Sequence, residues 1–576
     1  MNYKYISTIL LAASLLLAAG PAVGAVPDEV KAIPVQYEGR VMPFASFARE
    51  ALLGITGKMK WEGEDPSATL LHWMAHPEGA SSLKLLEAGY EPLRKEAGLD
   101  LKRTRFSLDE LLGARKIMEL GAQSAQIRRQ DGKPSKLESE AEKVLGRMGH
   151  LYALLTAQSP SFIPDAQNPH GEWKPVSDET LDADPAVSDI KQALTQMTGG
   201  YSQGDDVQLK VAALTLDRLI REEWKPDAGW AGRFKSETAY NKYHPIQLGR
   251  TLYLIALLML LVSLVRWGGF LVPAAGWVLG AGWAAHIGGL LLRAHIGSRA
   301  PWSNFYESLV TITAVLVLFG ILFSKRQVRG LVLGGVAFSG YFALLIADRA
   351  GLSPGVETLV PALQSYWLNI HVIVILSGYA VAALAMLLGH AALGVEALKP
   401  GDRSLFVSVT NSIYRAVQVA MLLLFAGTIL GGVWAHEAWG RYWGWDPKET
   451  WALISWFGYV GVAHARFAGW LKPRGLALAA IGVFPIILMT YYGVNYLLSG
   501  LHSYAGGESA AVPPLLIGFL VLEAGVIFAG SRGWHVTLGG KLTGVRVPMG
   551  AVNAQPGDNG HPKVKVKQPV KAGEEL

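Results

Sequence analysis

Apolar residues are distributed unevenly along this chain. Up to about residue 244 they recur every three or four positions among charged residues, and beyond it they come in nearly continuous blocks. A block of about 20 residues, wound as a helix rising 1.5 Å per residue, covers the ~30 Å hydrocarbon core of a bilayer. Nine such blocks can be counted, at roughly 246–265, 270–292, 306–324, 330–348, 366–390, 413–432, 450–469, 475–496 and 512–530. The pattern predicts an all-α polytopic membrane protein of about nine transmembrane helices, preceded by a mostly helical exported domain.

The N-terminal part supports that order. Lys4, the apolar run "ISTILLAASLLLAAG" and then "VGA" follow the charged, apolar and small-residue sequence of a signal peptide ending at Ala25, or of an uncleaved anchor. Either one exports residues 26–244. In that domain "IPVQYEGRVMPFASFAREALLGITGK" predicts a short hairpin turning at Glu38–Gly39 and then a helix. "SLDELLGARKIMELGAQSAQI" opens with Ser107 and Glu110 at capping-box spacing and continues with helical periodicity. "DDVQLKVAALTLDRLIREEW" predicts a further amphipathic helix.

With residues 26–244 outside, the spans alternate. The inner connections then hold Arg266, "SKRQVRG", the Lys399–Arg403 region, "LKPRG", and a tail with Arg532, Lys541 and Arg546. This agrees with the bias of basic residues toward the cytoplasmic side, which the span count did not use. Arg293 and Arg299 dissent, because they fall on the outer side. The predicted division is 1–25 signal peptide, 26–244 exported domain, 245–535 membrane domain, and 536–576 a disordered cytoplasmic tail rich in Gly, Pro and Lys.

Charge and cysteine content narrow the chemistry. The net charge of +6 is spread over short loops and the tail, so there is no nucleic-acid patch. No cysteine is present, which excludes a disulfide, a thiolate nucleophile and a Cys-x-x-Cys-His site within this chain. Any thiol chemistry must come from a partner.

One outer connection is unusual. "HEAWGRYWGWDPKETWALISWFGYVGVAHARF" runs from His436 to Phe467 and places Trp439, Trp443, Trp445, Trp451 and Trp456 close together, with Gly440 and Gly444 interleaved. Asp446, Pro447 and Glu449 read as N-cap, first helical residue and capping-box partner of the seventh span. An interfacial aromatic belt accounts for some of these tryptophans. A dense shelf with small gaps in an extramembrane turn suits a large planar ligand held by stacking and edge contacts.

Among the fourteen histidines, His371 lies near the outer end of the fifth span and His502 just beyond the eighth, both at the depth of the shelf. Two neutral imidazoles can ligate the iron of a porphyrin from opposite faces. His371 and His502 are therefore the candidate axial ligands of a haem. Arg441, Lys448, Arg299 and Arg293 are the outer cations available to its propionates, with snorkelling as the alternative for Arg293. His464 lies about 21 Å down the seventh span by helical rise. His286 lies within the second span, as a packed, hydrogen-bonded residue or as a ligand.

These segments resemble a known family. "WGRYWGWDPKETWALISW" is similar to the tryptophan-rich WWD motif of haem-handling proteins of cytochrome c maturation, and "GWDPKETWALI" resembles the CcsA (ResC) branch of System II. "APWSNFYESL", "SYWLNIHVIVILSGYA" and "NYLLSGLHSYAGG" also resemble CcsA segments, so the likeness covers roughly 246–530. It implies a haem-binding loop over 434–449 built on Trp434, Trp439, Trp443, Trp445 and Asp446. It implies His371 and His502 as outer haem ligands and His464 as a ligand met by haem inside the membrane. The implied activity is that of a haem lyase (holocytochrome c synthase) component, attaching haem b to Cys-x-x-Cys-His of apocytochrome c. The setting implied is a bacterial inner membrane, with the exported domain and loop on the periplasmic face. "PVQYEGRVMPFASFARE" resembles a stretch preceding the CcsA part of fused CcsB–CcsA proteins. The CcsB half is lacking, which implies a separate CcsB/ResB-like partner, with thiol-reducing pathway proteins keeping the substrate cysteines reduced. Two other classes fit the same residues: a haem exporter or chaperone without ligation activity, and a membrane electron-transfer subunit that retains its haem.

Overall fold

The computed structural model describes residues 26–532 except 131, 166, 169–170, 182–183, 226–227, 265–267, 350–351, 353–354, 357–363, 499 and 501–512. The expected signal peptide, the tail and His502 lie outside the described residues.

The N-terminal hairpin forms as the sequence predicts. Strand β1 (Pro34–Tyr37) pairs antiparallel with β2 (Arg40–Pro43), Tyr37 opposite Arg40. Glu38 (φ 48°) and Gly39 (φ 74°) are both left-handed, the two-residue turn whose twist matches a hairpin. Helix Phe44–Thr56 follows and stops at Gly57. A second short pair, β3 (Leu86–Glu87) with β4 (Arg105–Phe106), is too brief to leave a periodic signal.

The Ser107–Glu110 capping box forms, but the helix it opens is broken into Leu108–Gly113 and Arg115–Arg129 at Ala114 (ψ 70°). The cause lies in the apolar spacing. Leu108 and Leu111 would face the opposite side of an unbroken helix from Ile117 and Leu120, yet all four are buried. The kink turns both faces into one core. The predicted amphipathic helix forms as Asp206–Trp224, with Asp205 as its cap. The domain closes over its own core, in which Trp173 and Trp224 meet edge to face.

Helix Ala228–Tyr243 joins this domain to the membrane helices. Its Glu237 accepts from Arg40 of β2 (2.7 Å) and from the Ser46 hydroxyl (2.6 Å). Its Tyr240 faces the Arg293 guanidinium. At His244 (φ 45°) the chain turns into the first span.

Helices occupy all nine predicted places: Pro245–Ser263, Gly268–Gly297, Phe305–Phe323, Arg329–Arg349, Tyr366–Leu398, Arg403–Trp439, Pro447–Phe467, Pro473–Leu488 and Pro514–Arg532. Eight described helices are long and apolar enough to cross a membrane. The seventh, Pro447–Phe467, falls short of that apolarity because Lys448, Glu449, His464 and Arg466 interrupt it, so the expected nine spans become eight by this measure. The eighth helix contains Pro485, passes through a π-helical turn at Met489–Gly493 and ends at Leu497. A proline removes one ladder donor, and a wider turn nearby is one way a helix accommodates it.

The two dissenting arginines have a structural explanation. Arg293 (2% exposed) donates to Glu307 Oε1 (2.7 Å), and Arg299 donates to Glu307 Oε2 (2.6 Å). Glu307 is itself 1% exposed, and its backbone N–H donates to the Asn304 side chain that caps the third span. These two charges are held inside the protein, so they do not report on membrane sidedness.

Candidate functional site

The fifth and sixth helices approach closely along a seam of glycines. A Cβ on Gly378 would meet Leu424, one on Gly427 would meet Ile375, and one on Gly431 would stand 2.8 Å from His371 Cε1. Small residues let two helices approach this far where lipid supplies no hydrophobic drive. The seam seats His371. Its Nδ1 lies 2.8 Å from the Gly427 carbonyl. A carbonyl can only accept, so Nδ1 carries the proton and the lone pair is on Nε2, the tautomer a metal ligand needs. The imidazole lies parallel to the Trp434 ring (4°) at 6.4 Å.

Trp434 is buried in the last turns of the sixth helix, with Trp439 edge-on to it at 4.8 Å. Gly440 (φ 70°) ends the helix, and the connecting loop folds back so that the Tyr442 carbonyl reaches Gly432. Trp443 and Trp445 meet at 5.7 Å and 88°. Trp445 is 70% exposed and has φ 58°, a left-handed backbone rare for a bulky residue. The seventh helix then begins as predicted: the Asp446 side chain accepts from the Lys448 N–H, and Glu449 completes the capping box. Asp446 is buried, and Gly500 packs against Asp446 and Pro447. The chain two residues before His502 is thus at the loop.

The sequence-predicted residues do not all converge. His371, Trp434 and Trp439 form one run of ring contacts, Trp443 and Trp445 meet each other, and Asp446 caps the seventh helix. Arg441 pairs with Glu449 (3.0 Å) and lies over Trp439. Lys448 Nζ donates to the Thr490 carbonyl (2.9 Å) in the π-helical turn. Arg293 and Arg299 share Glu307. His286 is fully buried, with Nδ1 3.1 Å from the Tyr253 hydroxyl, and a Cβ on Gly249 would come within 3.1 Å of its Cβ. The ring is packed among neighbouring helices, with Nδ1 bonded and Nε2 buried without a hydrogen bond. His464 stands about 25 Å along the seventh helix from Pro447. Its ring is exposed on the outside of the helix bundle, and Nδ1 is tied to the Val460 carbonyl. His436, which spacing alone did not single out, stacks on Tyr442 at 4.2 Å and 9°. Its signal was its position at the head of the tryptophan run.

The family model described as "Cytochrome C assembly protein" matches residues 302–502, the stretch that contains His371 and the loop. Cytochrome c biogenesis protein CcsA of Prochlorococcus marinus (strain MIT 9215) is 34% identical over 249 residues, which cover 37% of this chain and 79% of that relative. The chain belongs to the cytochrome c assembly family. CcsA of Trieres chinensis is 33% identical over 268 residues, 38% of this chain and 85% of that relative. Protein NrfI of Wolinella succinogenes is 29% identical over 499 residues, 82% of this chain. A match that long cannot be contained in residues 245–576, so it reaches into the N-terminal domain. The chain spans 53% of the length of NrfI. This is a CcsA-type, multi-pass cytochrome c biogenesis protein.

Proposed function

We propose that this protein holds haem b at the tryptophan loop, between His371 and His502, and presents it for attachment to Cys-x-x-Cys-His of an apocytochrome c. The observation that carries the reading is the seat of His371. A helix–helix seam cleared by Gly431 holds the imidazole in the ligand tautomer beside Trp434, at the loop to which the chain preceding His502 returns. Haem is cargo in this scheme. Each substrate thiol adds its S–H across one vinyl group: the C–S bond forms at the carbon next to the ring, and the hydrogen goes to the terminal carbon. No electrons leave or enter. The chain contributes orientation and exclusion of water, which converts an encounter in solution into a positioned one. No general base is assigned.

The outward-facing ring of His464 fits a site completed by another subunit. A CcsB/ResB-like membrane protein would supply the facing residue, and haem would pass from there to the loop. On this reading the protein lies in a bacterial inner membrane, with loop and N-terminal domain on the periplasmic side and thiol-reducing proteins serving the substrate. The N-terminal domain docks that partner or recruits apocytochrome. Deleting residues 45–230 should then lower haem loading or cytochrome yield, and normal values of both would remove that role.

The test is a reduced-minus-oxidised absorption spectrum of the purified protein, alone and with its CcsB-like partner. A low-spin bis-imidazole spectrum should weaken in His371→Ala and in His502→Ala and return with added imidazole. Absence of haem, or haem indifferent to both substitutions, refutes the reading. Haem that is retained but never transferred to apocytochrome would favour an exporter or electron-transfer subunit.

A further inference from the structure

The start of the seventh helix does more than a helix start requires. A capping box needs the Glu449 side chain to reach one N–H, that of Asp446, and it does so at 3.1 Å. The same carboxylate oxygen also accepts from the Gly444 N–H at 2.7 Å, and the other oxygen accepts from Arg441 Nη1 at 3.0 Å. These two extra bonds reach backward into the loop, outside the helix. The carboxylate is 9% exposed.

The arrangement explains two oddities of the loop. A left-handed residue between them lets the N–H groups of residues 444 and 446 point at one oxygen, and Trp445 has φ 58°. Such a conformation persists where surrounding contacts over-determine it. A side chain at Gly444 would displace the Arg441 guanidinium from its place beside Glu449. Arg441 is thus pressed between Gly444 and the Trp439 ring, 5.7 Å from its centroid, and is fixed at its far end by Glu449.

From Arg441 the contacts run on without a gap. Trp439 meets Trp434 edge-on at 4.8 Å, and Trp434 lies parallel to His371. We infer that Glu449 is the positioning residue of the loop: acting through Gly444, Arg441, Trp439 and Trp434, it sets the wall against which His371 and its ligand are held. The inference rests on the haem-loop reading above. Groups at one remove from a metal ligand orient it, and their loss costs about 10–100-fold in affinity or activity.

The experiment compares wild type, Glu449→Gln, Glu449→Ala, Arg441→Gln and His371→Ala in the full chain, each with its CcsB-like partner. It reads haem per polypeptide, the low-spin fraction by electron paramagnetic resonance, and holocytochrome yield. Glu449→Gln keeps an oxygen for the two loop N–H groups but turns its amide NH2, a donor, toward Arg441, so it should fall between wild type and Glu449→Ala. Glu449→Ala and Arg441→Gln should retain haem but show a smaller low-spin fraction, restored by added imidazole, with yield down about tenfold or more. If Glu449→Ala fails to fold, Arg441→Gln, which leaves the helix cap intact, decides the matter. A wild-type low-spin spectrum in Arg441→Gln, or in a folded Glu449→Ala, overturns the inference. If haem is absent from wild type or indifferent to His371→Ala, the haem-loop reading itself has failed. If His371→Ala matters while the Glu449 and Arg441 changes do not, only the positioning role has failed.

Discussion

A methyl group added at Gly431 is the most direct way to disturb His371 without touching it chemically. The new Cβ would stand 2.8 Å from Cε1, 3.1 Å from Nδ1 and 3.4 Å from Nε2. Comfortable carbon contacts begin near ~3.5 Å, so the ring must retreat by roughly 0.7 Å or the two helices must part. A retreat of that size breaks the 2.8 Å bond to the Gly427 carbonyl. Overpacking of this kind costs about 1–3 kcal/mol, and the lost hydrogen bond adds about 0.5–1.5 kcal/mol. Gly378→Ala is the matched control, since its Cβ would press on Leu424 at 3.1–3.3 Å across the same helix pair, away from His371. Both variants should melt earlier in detergent, but only Gly431→Ala should lose low-spin haem, with added imidazole restoring the spectrum. If haem content in Gly431→Ala matches wild type, or if Gly378→Ala loses haem equally, the seam does not act through His371.

Three further outcomes are expected. Glu307→Gln leaves Arg293 and Arg299 buried around a neutral group and should destabilise the protein by about 3–5 kcal/mol in a thermal or denaturant assay, and an unchanged midpoint would remove the ion-pair account. Burial raises the Glu50 carboxyl from its ordinary value to about 7, against the opposing pull of Arg40. Because the folded value exceeds the unfolded one, folding takes up a proton between them, and the N-terminal domain should lose stability as pH rises from about 4.5 to about 7. Hydrogen exchange in residues 34–43 would show this, and the slope should flatten in Glu50→Gln; a slope unchanged by that substitution contradicts it. Trp445→Gly relieves the left-handed strain at that position and should raise the thermal midpoint slightly while lowering cytochrome yield, and a lower midpoint would mean the indole packs more than it strains.

How legible this protein is in its sequence depends on the range of the physics involved. The helical positions, the Glu38–Gly39 turn and the caps at Ser107 and Asp446 are local properties, and each forms where the pattern predicts. The break at Ala114 was hidden because it is decided by which face meets the core. The seventh helix is recognisable as a helix, yet its apolarity is diluted by the charges that build the loop. The missed parts of the site are contacts between segments far apart in the chain, or between residues whose local role already looked complete, as with Glu449.

By itself the sequence determined a chain of apolar helices preceded by a mostly helical domain, and a tryptophan-rich stretch that accompanies His371. Tertiary structure alone decided which polar groups are held inside and which face outward. It enclosed His286, turned His464 away from the bundle, bound Arg293 and Arg299 to Glu307, and set His371 over Gly431. The reason is that an ionisable or ligating side chain has the same identity whether it is satisfied by a neighbour or presented to a ligand. Which of the two occurs depends on the atoms that the packing of other helices brings within about 3 Å of it.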